Sequence, residues 1–174
     1  MDVAAVRTAR LRLLALVVAL AALVALLVVQ VLNRADDGGA TADRQRACGT
    51  ALDVGRTQGR NLTTIGYRSA TTDLARILAG ATGKLREQFA SQRTQLPALL
   101  ARQKSESTGS VLAAGLISCA PVKGNARVNL AVDATVTTSD APAPVVKHYR
   151  ITMTLQRTGS RWLVSDVAFA GAPQ

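Results

Sequence analysis

Five side chains of this 174-residue sequence are of the types that move protons in enzymes: His148, Asp133, Tyr67, Tyr149 and Asp73. A His–Asp or Tyr–Asp pair inside a pocket acts as general acid and base when its members lie within hydrogen-bond reach. Local context argues against each of them. His148 alternates out of phase with Tyr149, Ile151, Met153 and Leu155, which places it on the solvent face of its strand. Asp133 is out of phase with the apolar set of its own strand in the same way. Asp73 stands at a helix start, where an acidic residue caps the helix and complements its dipole. No nucleophile motif, glycine-rich phosphate loop or carboxylate cluster accompanies them. The residue types therefore predict no catalytic residues and no cofactor.

Two cysteines, Cys48 and Cys119, remain. With the single His148 they supply too few ligands for a metal site. In an oxidising compartment an even count permits a disulfide, here closing a loop of about 70 residues. Two small buried thiols fit the same spacing. Pattern alone leaves both readings open.

The elements that must position these residues read as helices first and strands second. Asp43 is a candidate N-cap for a helix to about Ile65, with Cys48, Ala51, Leu52, Gly55, Gly59, Leu62 and Ile65 recurring at helical spacing. Gly55 and Gly59 weaken such a helix but let a neighbouring sheet approach closely. Gly66 is the expected cap at its end. A short helix follows over about 72–79. A third begins near Gly83 and is bent or interrupted at Pro97. Ser105–Ser110 is expected to be a turn. From Val111 the period changes to two, giving strands at Val111–Cys119, Arg127–Thr137, Val145–Arg157 and Arg161–Phe169. Four strands with short connections imply an antiparallel, curved sheet covered by three helices, an α+β architecture. Trp162, in the last strand beside Leu163 and Val164, is expected to close the core.

Ahead of this domain lies an apolar run, Leu13–Leu32, in which Gln30 is the one polar residue. Twenty helical residues extend roughly 30 Å, the thickness of a bilayer core. Arg7, Arg10 and Arg12 precede the run and Asn33, Arg34, Asp36 and Asp37 follow it, so the N-terminus, on the side with the basic excess, is expected in the cytoplasm and the remainder outside. The run is too long for a signal-peptide core, and its nearest small-residue cleavage pattern, Ala40-Thr41-Ala42, lies well past its end. The expected organisation is a cytoplasmic segment 1–12, a transmembrane helix 13–32, a linker 33–42 and an extracytoplasmic domain 43–174. Ala15, Ala19 and Ala22 make a strip of small residues on the apolar run compatible with close helix–helix packing.

The chain carries a formal charge of +10, and the part after the apolar run holds 18 basic against 10 acidic residues. Such an excess attracts acidic partners or anionic lipid headgroups. Nucleic acid is disfavoured, because the basic residues are scattered and aromatic side chains are few.

Several segments carry a family resemblance: the helix end LTT-x-x-YR at Leu62–Arg68, Asp73-Leu74, the ILAGATGKLREQF stretch at Ile77–Phe89, and the terminal RWLVSDV at Arg161–Val167. The sequence resembles the actinobacterial Mce-associated membrane proteins, small single-pass proteins that accompany mammalian-cell-entry lipid transporters. The likeness covers the apolar run and nearly all of the following domain. It implies a periplasmic VirB8-like domain of the wider NTF2-like class, a cell-membrane location, and a non-enzymatic accessory role beside Mce transporter subunits. The candidate contact surfaces are the transmembrane helix itself and the exposed side of the first helix, with Arg44, Arg46, Arg56 and Arg60. Two other functions compete with that reading: a module holding an apolar ligand inside the NTF2-like cone, and an isomerase- or dehydratase-like enzyme on the same fold. An interior lined by Leu and Val around open space supports the first of these, two ionisable groups converging inside it the second, and a filled interior neither.

Overall fold

Glycine in a helix lets a sheet approach its backbone closely, and two such positions shape the packing of this domain. The computed structural model describes residues 26–28 and 39–170. The expected membrane helix falls outside the described residues except for 26–28, which are helical. Among the described residues no helix is long and apolar enough to cross a membrane. Two compact units are distinguished, 1–43 and 44–174, and the second holds the sheet and its core.

Helix α1 covers residues 39–63 and buries Ala51, Gly55, Gln58 and Gly59 along one stripe. A Cβ on Gly55 would sit 3.1 Å from Val128 Cγ1, and one on Gly59 would sit 2.5 Å from Leu130 Cδ1. Both glycines are therefore places where the helix backbone rests directly on sheet side chains. Met153 and Val111 close the space around Gly59 from either side. The interior between helix and sheet is thus occupied by Val128, Leu130 and Met153, all of them buried. Cys48 and Cys119 are joined in a disulfide, with Cα atoms 5.9 Å apart, which ties the early part of α1 to the sheet.

Among the described residues the sheet has five strands rather than the expected four, ordered β1-β2-β3-β4-β5 and antiparallel throughout. The additional strand β1 is Ile65–Gly66, which pairs with Ser107 and Glu106. Ile65 and Gly66 are therefore sheet residues and not the end and cap of the first helix, which stops at Thr63. Strand β2 runs Glu106–Ala120 and takes in the polar stretch expected to be a turn. Its polar start is accommodated because Ser107 Oγ donates to Thr63 O and Gly109 N donates to Thr64 Oγ1. The other strands are β3 Asn125–Thr137, β4 Val145–Thr158 and β5 Arg161–Phe169. In β3 the alternation is complete from Ala126 through Val128, Leu130 and Val132 to Ala134, each buried. Register shifts in β2, at Val111/Ala113 and Leu116/Ser118, and at Thr154/Leu155 between β4 and β5 add local twist.

Four helical segments lie between residue 39 and β2, where three were expected. Helix α2 is Ala70–Ala79, seating Leu74 and Ile77 in the core. The third expected helix is split into α3 Gly83–Ser91 and α4 Gln95–Gln103. The break precedes Pro97, which occupies the first turn of α4, where a missing N–H costs no helical hydrogen bond. Gly83 opens α3 at φ 49°, and the residue before it is tied to the sheet by Thr82 N donating to Val164 O, 2.9 Å. Trp162 is 4% exposed and sits in the core as expected.

Candidate functional site

Strand register brings together two of the five proton-moving candidates. Asp133 on β3 stands directly opposite His148 on β4, and the His148 Nδ1 to Asp133 Oδ1 distance is 2.6 Å. The pair lies on the sheet face away from the helices, with the His148 side chain 62% exposed. On the other side of Asp133, β2 places Ser110. The lateral order is thus serine, aspartate, histidine. A nucleophilic triad needs the histidine between the other two, so this row does not activate Ser110.

The remaining candidates are engaged structurally. Tyr149 packs edge-on against Phe169, ring centroids 5.8 Å apart. Tyr67 lies under the Arg68 guanidinium at 4.8 Å. Asp73 is buried and accepts from Gly66 N at 3.0 Å, Ser69 Oγ at 2.7 Å and Arg76 Nη2 at 2.8 Å. It works as an anchor that fastens the chain around β1 to α2, a wider role than the helix-start one its position implies. No two of these five candidates converge in the interior.

Arg44, Arg46, Arg56 and Arg60 are all exposed on α1. Arg56 pairs with Asp53 at 3.0 Å. Residues 44–174 hold 17 Lys and Arg against 7 Asp and Glu, so the folded unit is strongly basic by itself.

A cavity of about 450 Å³ opens between α1, the end of α2 and the turn joining β4 to β5. Trp162, Val54 and Ala79 supply its apolar wall, Gln58 and Asn61 a polar one, and Arg161 stands at the turn. Gln58 is 2% exposed. Its Nε2 donates to Ile77 O at 2.6 Å and its Oε1 accepts from Asn61 Nδ2 at 3.1 Å. Sequence reasoning passed over Gln58. Its signal was a polar residue on the same helical stripe as Gly55 and Gly59, a position that is buried whatever residue fills it. Among the described residues no group of three or more His, Cys, Asp or Glu side chains is placed to hold a metal ion.

Residues 8–171 match a protein family described as "Uncharacterized protein Rv1363c/MT1408-like". The chain belongs to this family. A curated relative, "Uncharacterized protein Rv1363c" of Mycobacterium tuberculosis (strain ATCC 25618 / H37Rv), is 28% identical over 131 residues, covering 75% of this chain and 49% of the relative. The chain thus spans about half the length of that relative. Among solved structures, the periplasmic domain of DotI is similar with a TM-score of 0.57 at 13% identity, over 70% of this chain and 93% of that one. Agrobacterium tumefaciens VirB8 is similar with a TM-score of 0.53 at 10% identity, over 74% and 92%. These likenesses are of fold: this member of the family has a VirB8-like α+β domain, as the resemblance implied.

Proposed function

We propose that this chain is a single-pass, non-enzymatic accessory protein of the cell envelope. In this reading residues 13–32 cross the membrane, the N-terminus is cytoplasmic, and the basic domain works outside through protein contacts. Its implied partners are the subunits of a Mce-type lipid-uptake complex, which it stabilises or helps to assemble. The observation that carries the reading is the filled interior: Gly55 and Gly59 rest on Val128 and Leu130, so the space where an NTF2-like cone would hold a ligand is occupied by side chains. Function is then left to surfaces. The Cys48–Cys119 disulfide supports the extracytoplasmic placement, because such bonds persist in oxidising compartments. The basic excess of residues 44–174 favours acidic partner surfaces, with the exposed α1 arginines Arg44, Arg46, Arg56 and Arg60 as contact residues. Anionic headgroups at the membrane surface are a further attraction for the same charges.

The test is affinity purification of the membrane-extracted full chain after mild crosslinking, with mass spectrometry of its companions. Recovery of lipid-transporter subunits, lost when residues 43–174 are deleted, is the expected result. Recovery of the chain alone, or companions retained without the domain, overturns the proposal.

A further inference from the structure

The cavity between α1, α2 and the β4–β5 turn lies outside the helix–sheet interior and is independent of the accessory reading. We propose that it is a binding site for a small organic carboxylate with an apolar body. The volume, about 450 Å³, falls in the range of roughly 300–1,000 Å³ usual for small-ligand sites. Its apolar wall is built from Val54 and Ala79 with the small part of Trp162 left uncovered by the core, an arrangement suited to an apolar group.

The polar side of the cavity selects charge. Asp53 is already paired with Arg56, at 3.0 Å, and Arg76 with Asp73, at 2.8 Å. Among the described residues Arg161 has no carboxylate partner, and its side chain makes one hydrogen bond, Nη2 donating to Ala79 O at 3.4 Å. Its remaining guanidinium N–H groups can form the paired donor fork that matches a carboxylate. Asn61 spends one amide N–H on Gln58 and keeps its other N–H and its Oδ1 for a ligand. The wall behind these groups is held in place rather than adaptable. Gln58 is locked to Ile77 O, and Gly80 is so close that a Cβ there would meet the Gln58 amide at 2.6 Å. The site therefore combines an immobile apolar wall, a cation without a carboxylate beside it and unspent amide groups.

Trp162 is the chain's single tryptophan, so 5-fluorotryptophan places one ¹⁹F probe in the wall of the cavity. The full chain, so labelled and held in phosphatidylcholine nanodiscs, is titrated with 2-naphthoate and with its neutral isostere 2-naphthamide at matched free concentrations. Saturable displacement of the ¹⁹F line by naphthoate is expected, with naphthamide binding about ten-fold more weakly or less. R161Q is expected to remove that preference, and Thr57→Phe, an exposed α1 position on the rim, to block both ligands. An unmoved line, equal response to the two ligands, a preference that survives R161Q, or binding that survives Thr57→Phe each overturns the proposal. Because Thr57 is exposed, its variant keeps the test decisive should R161Q fold poorly.

Discussion

Gln58 on α1 and Ile77 on α2 are joined by a side-chain-to-backbone hydrogen bond of 2.6 Å, Gln58 Nε2 donating to the Ile77 carbonyl across 19 residues of chain. Ile77 is near the C-terminal end of α2, where carbonyls lose their helical partners. Gly80 N bonds the same carbonyl at 3.2 Å, so both donors close the end of one helix. The buried amide thus substitutes for a helix cap, and it does so from a neighbouring helix.

Replacing Gln58 by Leu removes that donor and takes the partner from the part-buried Asn61. The expected loss is about 1 kcal/mol, the net worth of one hydrogen bond, because the Ile77 carbonyl keeps its bond from Gly80 N. Urea unfolding of the domain, followed by far-ultraviolet circular dichroism, measures it. A loss below about 0.5 kcal/mol would show that the bond contributes nothing to stability.

Two glycines of one helix are expected to respond in opposite directions to the same substitution. Gly49 and Gly59 both lie within α1, but a Cβ on Gly49 has nothing within 4 Å, whereas one on Gly59 meets Leu130. Gly49→Ala is expected to stabilise by up to about 1 kcal/mol through helix propensity alone. Gly59→Ala carries the same gain and an overpacking cost of roughly 1–3 kcal/mol, so the net effect is destabilising. Thermal midpoints moving apart are the expected outcome, and a shared direction would contradict the close packing of α1 on β3.

The strands with long apolar alternation, β3 and β4, were legible because burial on one face imposes a period of two. Arg161–Phe169 agrees to the residue. Strand β1 was not legible, since Ile65–Gly66 is too short to have a period and exists only through its pairing with Glu106 and Ser107. The polar opening of β2 was hidden for the related reason that its partners are the hydroxyls and carbonyls of Thr63 and Thr64, which no pattern in 106–110 encodes. The split of the third helix was foreseen at Pro97 and found just before it, because proline tolerates the first turn of a helix better than its middle. The candidate site was least legible of all. The cavity gathers residues from three separate stretches, around Thr57, Gly80 and Arg161, and the Asp133–His148 contact depends on register between strands.

Asp73 and Asp133 both bond a basic side chain, yet their burial separates them. Asp73 accepts three hydrogen bonds and its side chain is 7% exposed, whereas Asp133 accepts from an imidazole that is itself largely in solvent. Asp73→Ala is expected to cost about 2–3 kcal/mol, because it strands the buried Gly66 N–H as well as Ser69 and Arg76. Asp133→Ala is expected to fall within about 0.5 kcal/mol after allowance for solvent screening. Denaturant midpoints of the two variants test the contrast, and equal losses would rule out the anchoring role of Asp73.

The disulfide constrains both the unfolded chain and one end of α1. Cys48 and Cys119 are separated by 71 positions, and closing a loop of that length restricts the unfolded chain by about 4 kcal/mol in the chain-entropy model. In the folded protein the bond fastens the early turns of α1 to the far part of β2, well away from the close contacts at Gly55 and Gly59. Reduction is therefore expected to lower the urea midpoint strongly and to loosen the first turns of α1 before the rest. Amide hydrogen exchange should show this as faster exchange at residues 44–51 than at 55–63 once a reductant is present. Cys48→Ser and Cys119→Ser, alone or together, should reproduce the reduced behaviour, because either leaves the loop open. If the midpoint and the exchange pattern are unchanged by reductant, the two sulfurs are not bonded in the folded protein, and the case for an oxidising compartment loses its structural support.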